Sequence, residues 1–201
     1  MRLFAAIYPP AVAVADLTAR IKGLRVASAR HARLADPADL HLTLAFLGEV
    51  PDDRLTDVEY ALASAARTAR SPLLRLAGGG CFGQGRSTVL WVDVRGEVEA
   101  LDALALSIRD GLGEAGLPCD DKPFRAHLTI ARPGDRVPEA DIRSDLHTLH
   151  DYAGPQWSAT ELRLIRSHLG RTPRHTRVAA WPLAGGGRRG VKKGPLLYRR
   201  R

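Results

Sequence analysis

The chain has 201 residues, 45% of them hydrophobic, enough for one sizeable domain or two small lobes sharing a core, and no apolar run approaches the roughly 20 residues that span a bilayer. Its net charge of +8 is concentrated at one end: Arg188, Arg189, Lys192, Lys193, Arg199, Arg200 and Arg201 carry seven of those charges with no acidic neighbour, leaving +1 for residues 1–187. Two cysteines, Cys81 and Cys119, in neither a CxxC pair nor the company of a histidine, exclude a disulfide scaffold and are read as reduced bystanders.

In chain order, residues 3–8 predict a strand stopped by Pro9 and Pro10. The opening stretch has one basic residue and too short an apolar run for a signal peptide, so a cytoplasmic location is expected. Val12, Val14, Leu17, Ile21 and Leu24 recur at mostly helical spacing and predict a helix over residues 11–26. After a loop through Pro37 to Leu40, residues 41–47 alternate as a strand ending at Gly48. Pro51, Asp52 and Asp53 open a helix to about Arg70, with Asp52 or Asp53 as its N-cap.

Residues 73–76 then run into Gly78, Gly79 and Gly80. These lack the Lys-Ser/Thr of a phosphate-binding loop and read as a turn or bulge. A strand over residues 88–94 and an amphipathic helix over 97–115, closed by Gly116, follow. Residues 124–131 predict another strand. Residues 141–150 are helical or irregular, and 161–168 and 175–181 read as two strands joined through residues 170–173. The whole gives two βα-rich halves, joined near Ser87 or Gly96. Residues 1–184 form the folded unit, and 185–201 a flexible basic tail that either attracts a polyanion or serves only solubility.

The most informative feature is an internal repeat. His41-Leu42-Thr43-Leu44-Ala45 recurs 86 residues later as His127-Leu128-Thr129-Ile130-Ala131. Side chains alternate along a strand, so His41 and Thr43 share one face while Leu42, Leu44 and Phe46 take the other; His127 and Thr129 likewise oppose Leu128 and Ile130. Two such strands related by a pseudo-twofold axis present two imidazoles and two hydroxyls to one cleft. That set suits transfer at phosphorus, where one histidine removes a proton from water and the other protonates a departing alkoxide. The threonine hydroxyls are suited to holding the non-bridging oxygens.

Metal binding is the rival use of two histidines. Helical HExxH spacing is absent, and the flanking residues are Leu and Thr rather than carboxylate or Cys ligands, so no metal is expected. Arg125, two residues before His127, shares its face and is a candidate phosphate contact. Strict alternation puts Arg132 on the opposite face unless a bulge re-aims it. Trp91 and Trp157 read as core, and His31, His147, His150 and His168 as surface or structural residues.

The paired motifs, His41 to Leu44 and His127 to Ile130, resemble the two His-x-Thr-x signatures of the two-histidine phosphoesterases, and within them the RNA 2′,3′-cyclic phosphodiesterases also called 2′-5′ RNA ligases. The likeness extends over most of residues 1–183, including Arg2 to Ile7, Phe124 to Arg132, Leu164 to Leu169 and Trp181-Pro182-Leu183. It implies an α+β, bilobal fold with two pseudo-symmetric βα lobes and antiparallel sheets around a central cleft. It also implies hydrolysis of RNA 2′,3′-cyclic phosphate ends to 2′-phosphomonoesters, with reverse 2′-5′ ligation, no cofactor, and a monomer acting on RNA ends.

In the family the first-motif histidine is assigned as proton donor and the second as proton acceptor, which makes His41 the acid and His127 the base. The near-identical motifs do not order those roles by themselves. Other readings are a relative acting on a small cyclic nucleotide or ADP-ribose-derived cyclic phosphate, or an RNA-end reader without turnover. Two positions depart from the family pattern: Ala126 stands where a proline usually precedes the second histidine, and His175 where a tyrosine is common.

Overall fold

The computed structural model describes residues 1–120, 123–168, 170 and 174–184. The basic tail and most of the 170–173 connection therefore lie outside the described residues. The strands are β1 (Arg2–Ile7), β2 (Arg33–Leu34), β3 (Leu42–Glu49), β4 (Leu73–Phe82), β5 (Val89–Gly96), β6 (His127–Arg132), β7 (Ala153–Ser158), β8 (Glu161–His168) and β9 (Arg174–Pro182). The α-helices are α1 (Ala11–Lys22), α2 (Arg25–Ser28), α3 (Leu55–Thr68), α4 (Val98–Glu114) and α5 (Glu139–His150). Among the described residues no helix is long and apolar enough to cross a membrane.

Two antiparallel sheets carry the fold, ordered β3-β1-β8-β9 and β2-β6-β5-β4-β7. The expected α+β class and antiparallel sheets are borne out, but the two halves are not successive stretches of chain. The first sheet combines the beginning and end of the protein. The second takes the middle, and β4 and β5 are hydrogen-bonded neighbours within it, so no join falls near Ser87 or Gly96. Helices cross over as well: α1 follows a strand of the first sheet yet packs on β7 of the second, while α4 lies between two strands of the second sheet and packs on β3 of the first. Chain-order reading assigns each helix to its adjacent strand, and this exchange defeats it.

Local chemistry explains the other departures. The helix expected over residues 11–26 breaks at Gly23 and restarts as α2, whose first amides, Arg25 N and Val26 N, donate to the buried carboxylate of Asp145. Neither Asp52 nor Asp53 caps a helix. Both lie in a one-turn 3-10 helix that leads into α3, with no side-chain cap. Residues 141–150, left open between helix and irregular, are helical within α5. Strand β7 is unpredicted because it contains Gly154 and Pro155, a composition tolerated at the sheet edge where it lies.

The β4 bulge falls at Ala77 and Gly78, between Leu76 opposite Val94 and Gly79 opposite Val92, while Gly79 and Gly80 pair regularly with Val92 and Trp91. Gly78 has φ +73°. A Cβ on Gly79 would meet Leu149 of α5 at 2.9 Å, and one on Gly80 would meet the Trp91 indole at 2.2 Å. The run is glycine because helix and indole both press against the strand. Trp157 is buried in the core as expected, whereas Trp91, expected there too, is buried on the side of His127 beneath Arg125 and outside the core cluster.

Candidate active site

The two His-x-Thr strands lie in different sheets, and β3 and β6 approach each other where the sheets meet. Both motifs have the same local build. His41 and His127 sit at or just before the start of their strands, half-buried, with Leu42 and Leu128 fully buried behind them. Nδ1 of His41 lies 2.5 Å from the Asp39 carbonyl oxygen, and Nδ1 of His127 lies 2.7 Å from that of Arg125. A carbonyl only accepts, so each imidazole donates its Nδ1–H backward by two residues and keeps Nε2 for whatever enters the cleft. The same device twice, in two sheets, gives both rings the same orientation and tautomer.

Each strand then bulges at the equivalent place. The register of β3 on β1 passes from Thr43 to Ala45 opposite consecutive residues, leaving Leu44 extra; that of β6 on β5 passes from Thr129 to Ala131, leaving Ile130 extra. In both strands the two bulge residues point into the core: Leu44 and Ala45, Ile130 and Ala131 are 3% exposed or less. This re-aims the next residue. Phe46, expected beside Leu42 and Leu44, instead faces the cleft side and stacks with Phe4 at 6.3 Å in a small apolar cluster with Ala6 and Ile165. Arg132, five residues after His127 as Phe46 is after His41, is brought by its bulge onto the side of His127 and Thr129.

The walls differ between the two halves. Around His41 stand Phe4, stacked at 4.8 Å; Tyr8, at 5.4 Å; and His175, edge-on at 5.3 Å. Nδ1 of His175 is buried and lies 3.3 Å from the Asp39 carboxylate, close enough for an ion pair but without hydrogen-bond geometry. Asp39 thus faces one imidazole with its carbonyl and another with its carboxylate. Arg163 lies over the opposite wall of Tyr8, 4.8 Å from the ring centre, and a cavity of about 220 Å³ opens there between Pro9, Thr160, Glu161 and Arg163. Around His127 stand Phe82 at 5.0 Å and Trp91 at 6.1 Å. The Arg125 guanidinium lies over both rings, 4.3 Å from Trp91 and 5.5 Å from Phe82, which orients this cation beside His127.

Burial dominates the electrostatics on the His41 side. Desolvation lowers the His41 pKa to about 4; the Asp39 carbonyl and carboxylate oppose this, and His175 and His127 add to it. Burial likewise raises the Tyr8 phenol to about 12, helped by Asp39 and opposed by Arg163, so its hydroxyl remains a donor. Among the described residues no group of three or more His, Cys, Asp or Glu side chains is arranged to hold a metal ion.

The structure thus brings Arg125 beside His127 and sets the two motif strands near each other, with Thr43 and Thr129 on the same side of their strands as His41 and His127 by alternation. Sequence reasoning missed Phe4, Tyr8, Phe82, Asp39 and Arg163. The only signal pointing to Phe4 and Tyr8 is their alternation along the first strand; nothing local marks the others.

The 2′-5′ RNA ligase superfamily model matches residues 9–171. A Thermus thermophilus protein named RNA 2′,3′-cyclic phosphodiesterase is 34% identical over 97% of this chain and 96% of its own. A Geobacillus stearothermophilus protein of the same name is 34% identical over 79% of this chain, which spans about half (51%) of that relative's length. Among solved structures, one of a Thermus thermophilus protein superposes with a TM-score of 0.73 at 30% identity, covering 93% of this chain and 100% of that one. Escherichia coli LigT complexed with NADP+ gives 0.71 at 25% identity, covering 90% and 97%. With the family model matching residues 9–171 and a relative 34% identical over nearly the whole of both chains, the chain belongs to the 2′-5′ RNA ligase superfamily, the two-histidine phosphoesterases.

Proposed function

We propose that this protein hydrolyses RNA 2′,3′-cyclic phosphate ends to 2′-phosphomonoesters by metal-independent acid–base catalysis, and joins 2′-5′ RNA ends when the same chemistry runs backward. The observation that carries this reading is the repeated Nδ1–H to carbonyl bond at His41 and His127, which frees two Nε2 atoms for one cleft. In the forward reaction Nε2 of His127 accepts a proton from water as its oxygen bonds to phosphorus. The P–O3′ bond breaks, and Nε2 of His41 delivers a proton to the departing O3′. Thr43, Thr129 and Arg125 hold the non-bridging oxygens, and Arg132 is placed to join them.

The low pKa of His41 bears on its role as the donor. In the empty cleft the ring is neutral above about pH 4. A phosphodiester anion against it favours the imidazolium, so proton uptake accompanies substrate binding. The names of the Thermus and Geobacillus relatives support the same substrate class.

The test is incubation in EDTA with a short RNA ending in a 2′,3′-cyclic phosphate and with a cyclic mononucleotide, products being separated by chromatography. A 2′-phosphate product from the RNA, unaffected by EDTA, is expected. Turnover of the mononucleotide alone favours the small-substrate reading, and binding without turnover leaves an RNA-end reader.

A further inference from the structure

The cleft face of the second sheet continues beyond His127, and what it carries is unusual. Register places Asp93 of β5 directly opposite His127, and β5 is regular from Trp91 onward, so Trp91, Asp93 and Arg95 share the face of His127 and Thr129. Arg75 of β4 is directly opposite Arg95, and Gln156 of β7 directly opposite Arg75. Arg125 precedes β6, and its guanidinium lies over Trp91, four residues along β5 from Arg95. Arg75 and Arg95 thus form a pair on neighbouring strands roughly 4.8 Å apart.

Like charges directly opposite on a sheet face destabilise it. Among the described residues neither Arg75 nor Arg95 has a carboxylate within ion-pair distance. The nearest acidic groups by position are Asp93 and Glu97, each two residues from Arg95 and roughly 7 Å along the strand direction, and Glu97 is engaged with Arg70 and the Leu73 amide. Nε of Arg75 is buried without a hydrogen-bond partner. The Arg95 guanidinium lies over Gly78, 3.4 Å from where a Cβ would stand, so the bulge glycine makes room for it. A pair of arginines without an ion-pair partner, on the sheet face that carries His127, fits a ligand bearing regularly spaced negative charges.

We propose that Arg75 and Arg95 form a phosphate track that binds the RNA strand upstream of its cyclic phosphate end, resting on the reading of the cleft given above. Arg125, over Trp91, lies on the cleft side of the pair, and Gln156 offers a neutral donor beside Arg75. The track makes an RNA strand, rather than a mononucleotide, the preferred substrate.

The deciding experiment measures binding of a fluorescent single-stranded RNA octamer with a terminal 2′-phosphate, by anisotropy at several salt concentrations, for the wild type, R75Q/R95Q and R75K/R95K. Hydrolysis of a 2′,3′-cyclic mononucleotide is measured on the same proteins. Two lost phosphate contacts reduce the slope of log affinity against log salt by ~1.4 and weaken low-salt binding by roughly tenfold. R75Q/R95Q is expected to show both changes with mononucleotide turnover intact, and R75K/R95K to restore most of the slope. An unchanged slope in R75Q/R95Q overturns the track, as does an equal loss on octamer and mononucleotide. Wild-type binding without turnover of either substrate refutes the hydrolase reading instead, and the salt slopes still decide the track.

Discussion

Asp39 accepts the Nδ1–H of His41 through its backbone carbonyl at 2.5 Å, and the same residue turns its carboxylate toward His175 at 3.3 Å. One residue in a one-turn 3-10 helix, itself capped by the Asp36 side chain, therefore fixes the His41 ring and sets part of its electrostatic surroundings. His127 has the backbone half of this arrangement, through Arg125, but an arginine and two aromatic rings in place of a second imidazole. The two histidines match in geometry and differ in environment, which suits the acid and base roles proposed for them.

Replacing His41 or His127 with Ala is expected to lower kcat by about 10²–10⁴-fold in each case, with the double variant little worse than either single one. Single-turnover hydrolysis of a cyclic-phosphate RNA checks this. Loss in only one variant contradicts the two-histidine mechanism.

His41 also makes folding stability depend on pH. Its folded pKa is about 4 against 6.5 in a free chain, so between those values the unfolded chain binds a proton that the native protein does not. This contribution is fully present above pH 6.5 and is lost as pH falls toward 4, a change on the order of 2–3 kcal/mol. Urea titrations across that window should show the decline, and His41→Gln should flatten it.

His175 lowers the His41 pKa, so His175→Ala is expected to raise it. The Asp39 carbonyl bond to His41 does not involve His175, and activity should persist at a reduced level. An NMR titration of the His41 ring reads the direction; movement toward lower pH contradicts the coupling.

Gly80→Ala places a methyl group 2.2 Å from the Trp91 indole, on the ring that carries Arg125 and borders His127. The expected cost is about 1–3 kcal/mol of stability together with a raised KM, because the phosphate contact moves with the indole. Thermal melts and steady-state kinetics check the pair. Gly113→Ala, within α4 where nothing lies within 4 Å, is the control, expected to stabilise by about 0.5–1 kcal/mol and leave KM unchanged.

Much of the site was legible in the chain because its chemistry is local and repeated. Alternation along a strand puts His41 with Thr43 and His127 with Thr129, whatever surrounds them, and the buried Leu42 and Leu128 complete that pattern. Five-residue identity of pattern across 86 residues distinguished these histidines from the other five. Only tertiary structure decided the rest. The bulges at Leu44 and Ile130 turn Phe46 and Arg132 toward the cleft, and a bulge is a property of two paired strands that neither strand states alone. Phe4, Tyr8 and His175 reach His41 because β1, β8 and β9, far apart in sequence, share its sheet. The arginine pair has the same origin: Arg75 and Arg95 show no motif, and they meet because hydrogen bonding fixes the register between β4 and β5.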